Sequence, residues 1–361
     1  MENTIISTGN TYRIFSDAVK THNTLPADTF TVVFNEMTGY SLEKAPNLNP
    51  GTEKLYGNHQ KRLDRITSTY SQTNRSLGIL LSGDKGMGKT LMLKLIAHQA
   101  QTVHNLPVIL VTDNTPGIVG FLDTLGEACI IFDEFEKTFI KGHVNEGSEQ
   151  DQFLTLFDGT STTRRMYAMS VNKLHQLSDY MVNRPGRFHY HMRFDYPTQD
   201  EIRQYFTDQA PQVSTSEVDK VVEFSSRTHL NYDHLRAICF ELVKGDTFND
   251  FIDDLNIKSV DEQKYRVEVT TTTGKTLVGE TRLDPYSSNT DYLYVRSTDG
   301  HEETVLVKPA LAPPAFLNGK ITFPAQALKF SGQEHEDLAT YGIPHTATFE
   351  LQNSQNSYTF F

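Results

Sequence analysis

Two segments end in Gly-Lys-Thr, GDKGMGKT at 83–90 and TTTGKT at 271–276. A loop that wraps a phosphate needs a glycine five residues before the Gly-Lys pair, so that consecutive N–H groups can turn toward the anion. Gly83 meets that need ahead of Gly88 and Lys89, whereas the equivalent position ahead of Gly274 and Lys275 is Val269, which avoids the open φ values of such a wrap. The second triplet therefore reads as a hairpin turn. In the first, Gly83, Asp84, Lys85, Gly86, Met87 and Gly88 form the loop, and Lys89, Thr90 and Leu91 open a helix. The loop amides and the helix N-terminus attract phosphate, Lys89 reaches the β- and γ-oxygens, and the Thr90 hydroxyl suits Mg²⁺.

A second set of residues lies downstream. CIIFDEFEK at 129–137 is an apolar run that delivers Asp133 and Glu134 at its tip, on opposite faces of the strand. Asp133 suits the magnesium shell and Glu134 suits polarising a water. In SVNKLHQLSDYMVNRPGRFHYHMRFD, Asn172 ends a further strand, where it can hydrogen-bond both the γ-phosphate and the water. Arg184 and Arg187 flank a Pro-Gly turn, and a guanidinium offers a planar fork of donors for transition-state charge.

These residues require a scaffold that brings strand ends to one edge. LGILLSG, PVILVTD, ACIIFDEFEK, MYAMSVN and FHYHMRFD read as strands, with TLMLKLIAHQAQ, GIVGFLDTLG and DQFLTLFDG as helices between them. That alternation predicts a parallel sheet with ligands at the C-terminal ends of its strands, where Gly83, Asp133 and Asn172 should meet. Before it, Leu63, Ile66 and Tyr70 mark an amphipathic helix, and LPADTFTVVFNEMTGYSLEK at 25–44 reads as a small N-terminal hairpin unit. After it, Thr198 with Glu201 and Ser214 with Glu217 fit capping boxes, and Asn231 caps a helix that Gly245 can end. Beyond 260 the texture turns to alternating strands and turns. The expected domains are a β unit and linker at 1–56, an α/β nucleotide-binding domain at 57–197, a helical lid at 198–260 and an all-β domain at 261–361.

The ordered set GDKGMGKT, IIFDE, the Val-Asn pair and NRPGRF resembles the AAA+ ATPases, and within them the AAA branch with its second region of homology. The resemblance covers residues from about 57 to 245. It implies ATP and Mg²⁺ as cofactors, Lys89 and Thr90 as Walker A residues, and Asp133 and Glu134 as Walker B residues. It further implies Asn172 as sensor 1, and Arg184 and Arg187 as fingers acting on a neighbouring subunit's nucleotide in a homo-oligomeric ring, commonly hexameric. Arg236, in NYDHLRAI, stands where relatives outside that branch carry a sensor 2 arginine, and reads equally as a helix-surface residue. The usual aromatic–aliphatic–Gly pore loop is replaced here by DNTPG. The loop 138–150 offers either a pore lining with Phe139, Lys141 and His143 or a plain surface loop. The N-terminal hairpin followed by LYGN also resembles a leader seen in AAA+ proteins of tailed bacteriophages.

Composition narrows the function. The 361 residues carry 45 acidic against 33 basic side chains, a net charge of −12, which disfavours a broad nucleic-acid footprint. No segment approaches the roughly 20 apolar residues of a membrane span, and the first residues lack a basic-then-apolar leader, so the expected location is the cytoplasm. Cys129 and Cys239 sit in apolar segments and read as reduced core thiols. The leading expectation is a ring-forming ATPase that remodels a protein or protein complex chosen by its terminal β modules. A nucleic-acid motor or loader and a nucleotide-switched scaffold with slow turnover stand as alternatives.

Overall fold

The computed structural model describes residues 4–352 except 17–18, 52–53, 141–148, 158–162, 183–185, 227, 258–262, 284–289, 299, 301, 313, 318–319 and 332–341. Its contacts divide the chain into two compact units, Met1–Ser82 with Lys89–Arg193, and Gly83–Gly88 with Phe194–Phe361.

The first unit opens with a hairpin of β1 (Thr4–Thr8) and β2 (Thr11–Phe15), a two-stranded sheet of its own that the sequence reading did not resolve. A second hairpin, β3 (Thr29–Asn35) and β4 (Gly39–Ala45), leads to α1 (His59–Gln72), whose Leu63, Ile66 and Tyr70 are buried as their spacing requires. Then follow β5 (Leu77–Gly83), α2 (Lys89–Thr102), β6 (Val108–Leu110), α3 (Ile118–Thr124), β7 (Cys129–Phe132), α4 (Phe135–Phe139), α5 (Glu149–Phe157), β8 (Met166–Val171), α6 (Asp179–Val182) and β9 (Tyr190–Phe194). The sheet order is β4-β3-β6-β7-β8-β5-β9. Strands β3, β6, β7, β8 and β5 pair in parallel. Every residue of β5, β7 and β8 is buried, as expected for parallel strands covered on both faces.

The hairpin expected as a separate N-terminal unit is part of this sheet. Thr29, Phe30 and Thr31 pair with Val108, Ile109 and Leu110, and Phe30 and Val32 join the core. Phe139, considered as a pore residue, is fully buried in α4. Phe132 meets Phe135, Phe139, Phe153 and Phe157 edge to face with centroids 5.5–5.9 Å apart. That cluster removes Phe139 from any channel and anchors the end of β7. Lys141 and His143 lie outside the described residues.

The second unit contains α7 (Gln199–Gln209), α8 (Thr215–Ser225), α9 (Tyr232–Lys244) and α10 (Phe248–Phe251). Thr198 and Glu201 form the full capping box, and Gly245 ends α9 at φ 104°. Ser214 caps α8 through the Glu217 N–H, while Glu217 accepts from the Phe248 N–H at 2.8 Å instead of completing a box. An antiparallel sheet follows, of β10 (Gln263–Thr271), β11 (Thr276–Leu283), β12 (Asp291–Ser297), β13 (Glu302–Val307), β14 (Ala315–Leu317), β15 (Lys320–Pro324), β16 (Leu328–Phe330) and β17 (Pro344–Leu351), in the order β14-β15-β17-β10-β11-β12-β13-β16. Tyr265, Val269, Leu277, Leu293, Phe323 and Phe349 lie in its core. The second Gly-Lys-Thr triplet is the β10–β11 turn, with Gly274 at φ 80°. His229, just before α9, meets the Gln352 carbonyl at 3.0 Å, and Tyr265 Oη donates to the Ser226 carbonyl at 3.4 Å, so helices and sheet are tied within this unit. Among the described residues no helix is long and apolar enough to cross a membrane.

Candidate functional site

Strand β7 ends at Phe132, one residue before the acids, so Asp133 and Glu134 do not project from opposite faces of an extended strand. Glu134 turns into the left-handed region at φ 48°, ψ 50°, a conformation uncommon for a residue with a Cβ and typical of over-determined functional positions. Its backbone N–H is the reason the turn holds, donating to Asp133 Oδ1 at 3.1 Å and to Ser170 Oγ at 2.8 Å. Ser170 Oγ in turn donates to Asp133 Oδ1. Thr90 Oγ1 donates to Asp133 Oδ2 at 3.2 Å, joining the start of α2 to the end of β7.

The Glu134 side chain then reaches sideways. Its Oε2 pairs with Lys137 Nζ at 2.6 Å, and its Oε1 accepts from Asn172 Nδ2 at 3.1 Å. The hydrogen bond to Glu134, with its charge and those of Glu136 and Asp133, pulls the Lys137 pKa up although the side chain is half exposed. Lys89 is 6% exposed, a degree of burial unusual for lysine unless it serves a charged group.

The loop 83–88 belongs to the second unit and is held there by its carbonyls and one side chain. Tyr196 Oη donates to Asp84 Oδ2 at 2.6 Å, Asn231 Nδ2 to the Lys85 carbonyl at 3.2 Å, and the Tyr232 N–H to the Gly86 carbonyl at 3.0 Å. Gly83 lies against strand β9, where a Cβ would stand 2.4 Å from the Phe194 carbonyl oxygen, and Gly86 at φ 79° leaves no room beside Asn231. Burial and the bond to Asp84 raise the Tyr196 pKa, so the phenol remains a donor. Its ring stacks on His229 with centroids 4.2 Å apart, and burial lowers the His229 pKa.

The residues present suit a magnesium nucleotide. Mg²⁺ takes hard oxygen donors and keeps water and phosphate in its shell, so one carboxylate and one hydroxyl suffice. Asp133 and Thr90 supply that pair 3.2 Å apart, and among the described residues no group of three His, Cys, Asp or Glu forms an all-protein cage.

The sequence-predicted residues Thr90, Asp133, Glu134 and Asn172 thus form one connected network. Arg187 is 6% exposed and donates to the Tyr180 carbonyl of the same chain. Arg184 lies outside the described residues. Arg236 is 64% exposed on α9, 3.7 Å from Asp233. Sequence reasoning missed Ser170, Glu136, Tyr196 and Asn231 as partners of the site. A serine in the largely apolar strand MYAMSV, and a second acid two residues beyond Glu134, were the available signals.

Residues 79–196 match the family model described as "ATPase family associated with various cellular activities (AAA)". Among solved structures, the chain is similar to the RuvB Holliday junction branch migration motor of Thermotoga maritima, at 16% identity over 56% of this chain and 70% of that one, with a TM-score of 0.42. It is also similar to a chain of the HORMA:CdnC:Trip13 complex of E. coli MS115-1, at 12% identity over 56% and 90% of the two chains, with a TM-score of 0.43. The match falls on a phosphate loop, a strand-end acid pair and an asparagine that bonds one of those acids, and it identifies residues 79–196 as an ATPase domain of the AAA type.

Proposed function

We propose that the chain is a Mg²⁺-dependent ATPase that works in a homo-oligomeric ring, hexameric by family resemblance, and remodels a protein or protein complex in the cytoplasm. Residues 57–197, extended by the hairpin at 29–45 that joins the same sheet, are assigned as its nucleotide-binding domain, 198–260 as its lid, and 261–361 as the module that chooses the target. The observation that carries this reading is the hydrogen-bonded run Thr90–Asp133–Ser170–Glu134–Asn172.

Gly83 to Gly88 and the N-terminus of α2, through Leu91, cradle the phosphates, and Lys89 neutralises the β- and γ-oxygens. Thr90 and Asp133 would hold magnesium, which when bound would supply neutralisation of phosphate charge. Glu134 polarises the attacking water, and Asn172 orients that water and the γ-phosphate. A neighbour's guanidinium stabilises the charge that develops in transfer. Arg187 is bonded within its own protomer, which favours Arg184 as the residue that reaches across. Arg236 is assigned a nucleotide contact from the lid.

Glu134→Gln tests the chemistry. ATP binding should persist while turnover falls by at least about a hundredfold, and wild-type turnover would reject the assignment. Doping wild-type subunits with Arg184→Ala should depress turnover more than in proportion to its share, and a linear response would remove the ring-borne finger.

A further inference from the structure

Glu136 is an acid that this mechanism does not use, and it is 5% exposed. Its Oε1 accepts twice from one residue, from the Asn172 backbone N–H at 3.0 Å and from Asn172 Nδ2 at 2.9 Å. Its Oε2 is buried and has no hydrogen-bond partner among the described residues. A buried carboxylate is costly unless each oxygen is met, so a half-satisfied one signals geometry kept at the expense of stability.

The double grip decides how the Asn172 carboxamide is turned. A carboxylate only accepts, so the end of the amide that faces Glu136 must be Nδ2. The other Nδ2 proton is then aimed at Glu134 Oε1, 3.1 Å away. An apolar residue would fill the same space beside buried Phe135 and Phe139, but it would leave the amide free to turn over.

We infer that Glu136 is a positioning residue, which sets the orientation of Asn172 and through it the side chain of Glu134. The inference rests on the catalytic reading of Asn172 and Glu134 given above. Lys137 contributes separately, from the other oxygen of Glu134.

The test is a double-mutant cycle in the full chain with ATP as the probe. Glu136→Leu should lower kcat about tenfold to a hundredfold, the range seen when a partner that orients a functional ligand is removed. The ATP Kd should stay within about twofold. Glu136→Gln, which keeps an acceptor oxygen, should recover most of that loss, and the melting temperature of Glu136→Leu should not fall below wild type. Combined with Asn172→Ala, Glu136→Leu should cost nothing further, because both remove one unit. Additive losses, or a Glu136→Leu protein that is less stable yet turns over normally per folded molecule, would overturn the inference. Should Glu136→Leu fail to fold, Glu136→Asp withdraws the acceptor by one methylene and keeps the charge, and a wild-type kcat there overturns it equally. Wild-type turnover in Asn172→Ala would instead reject the catalytic reading itself. Slow Asn172→Ala with wild-type Glu136 variants would reject only the positioning role.

Discussion

Tyr196→Phe removes one hydroxyl from the second unit and leaves its ring on His229, 4.2 Å between centroids. What is lost is a single bond of 2.6 Å to Asp84 Oδ2 at the start of the phosphate loop. A hydrogen bond to a charged acceptor contributes a net of about 1.5–3 kcal/mol, and because both residues are only partly buried the lower end, about 1.5 kcal/mol, applies. If that bond keeps the loop in its phosphate-ready shape, the ready fraction falls and the apparent ATP Kd rises by up to about tenfold. Saturating kcat should change by less than about twofold, since Asp133, Glu134 and Asn172 are held by contacts of their own. The assay is an equilibrium titration of ATP on a Glu134→Gln background, paired with steady-state turnover in the Glu134 protein. An unchanged Kd with a lowered unfolding midpoint would refute the reasoning, because a bond equally present in free and bound loops contributes to stability alone.

Gly78→Ala should destabilise the first unit by about 1–3 kcal/mol or more, because its Cβ would stand 2.0 Å from the Arg187 carbonyl oxygen and 3.1 Å from Phe188 Cα, backbone atoms that cannot swing aside. Urea unfolding measures it, and a wild-type midpoint would contradict the close approach. Acid should also weaken the fold. Burial, and then the neighbouring Arg62 and Arg193, lower His59 and His191 from 6.5 to about 4, so the unfolded chain binds more protons between those values. The stability from keeping these rings neutral is complete above about pH 6.5 and is lost as pH falls toward 4. Denaturation curves at several pH values should show the decline, with a shallower slope in His191→Asn, and a flat profile would exclude it.

The parts of the fold written in local sequence were legible: buried strands as apolar runs, caps as Thr198 with Glu201, and the choice between two Gly-Lys-Thr triplets from the residue five places ahead. The parts written in long-range pairing were not. That 29–45 forms a hairpin follows from its own residues, but its membership of the sheet depends on Thr29 finding Val108, which no local pattern encodes. Phe139 was misplaced for a related reason. Its spacing from Phe135 is one helical turn, yet the loop that follows drew it out of the helix in the sequence reading. Ser170, Glu136 and Tyr196 act on Asp133, Asn172 and Asp84 across 36 to 112 residues of chain, so they become visible only once the strands are side by side.

The same network explains why turnover should depend on more than bound nucleotide. The Glu134 carboxylate accepts from an ammonium at 2.6 Å and an amide at 3.1 Å, so both of its oxygens are engaged by protein groups. On the proposed mechanism Glu134 must exchange at least one of these partners for water. Lys137 is the one to yield, because a half-exposed ion pair is screened by solvent whereas Asn172 is held by Glu136. Glu134 therefore stands with one firm and one loose restraint, and its left-handed backbone keeps the carboxylate between them. Arg187, buried and donating to the Tyr180 carbonyl, is likewise committed within its own chain. On the proposed mechanism the base must first leave an ion pair, and Arg187 the carbonyl of its own chain, before either could act on a nucleotide.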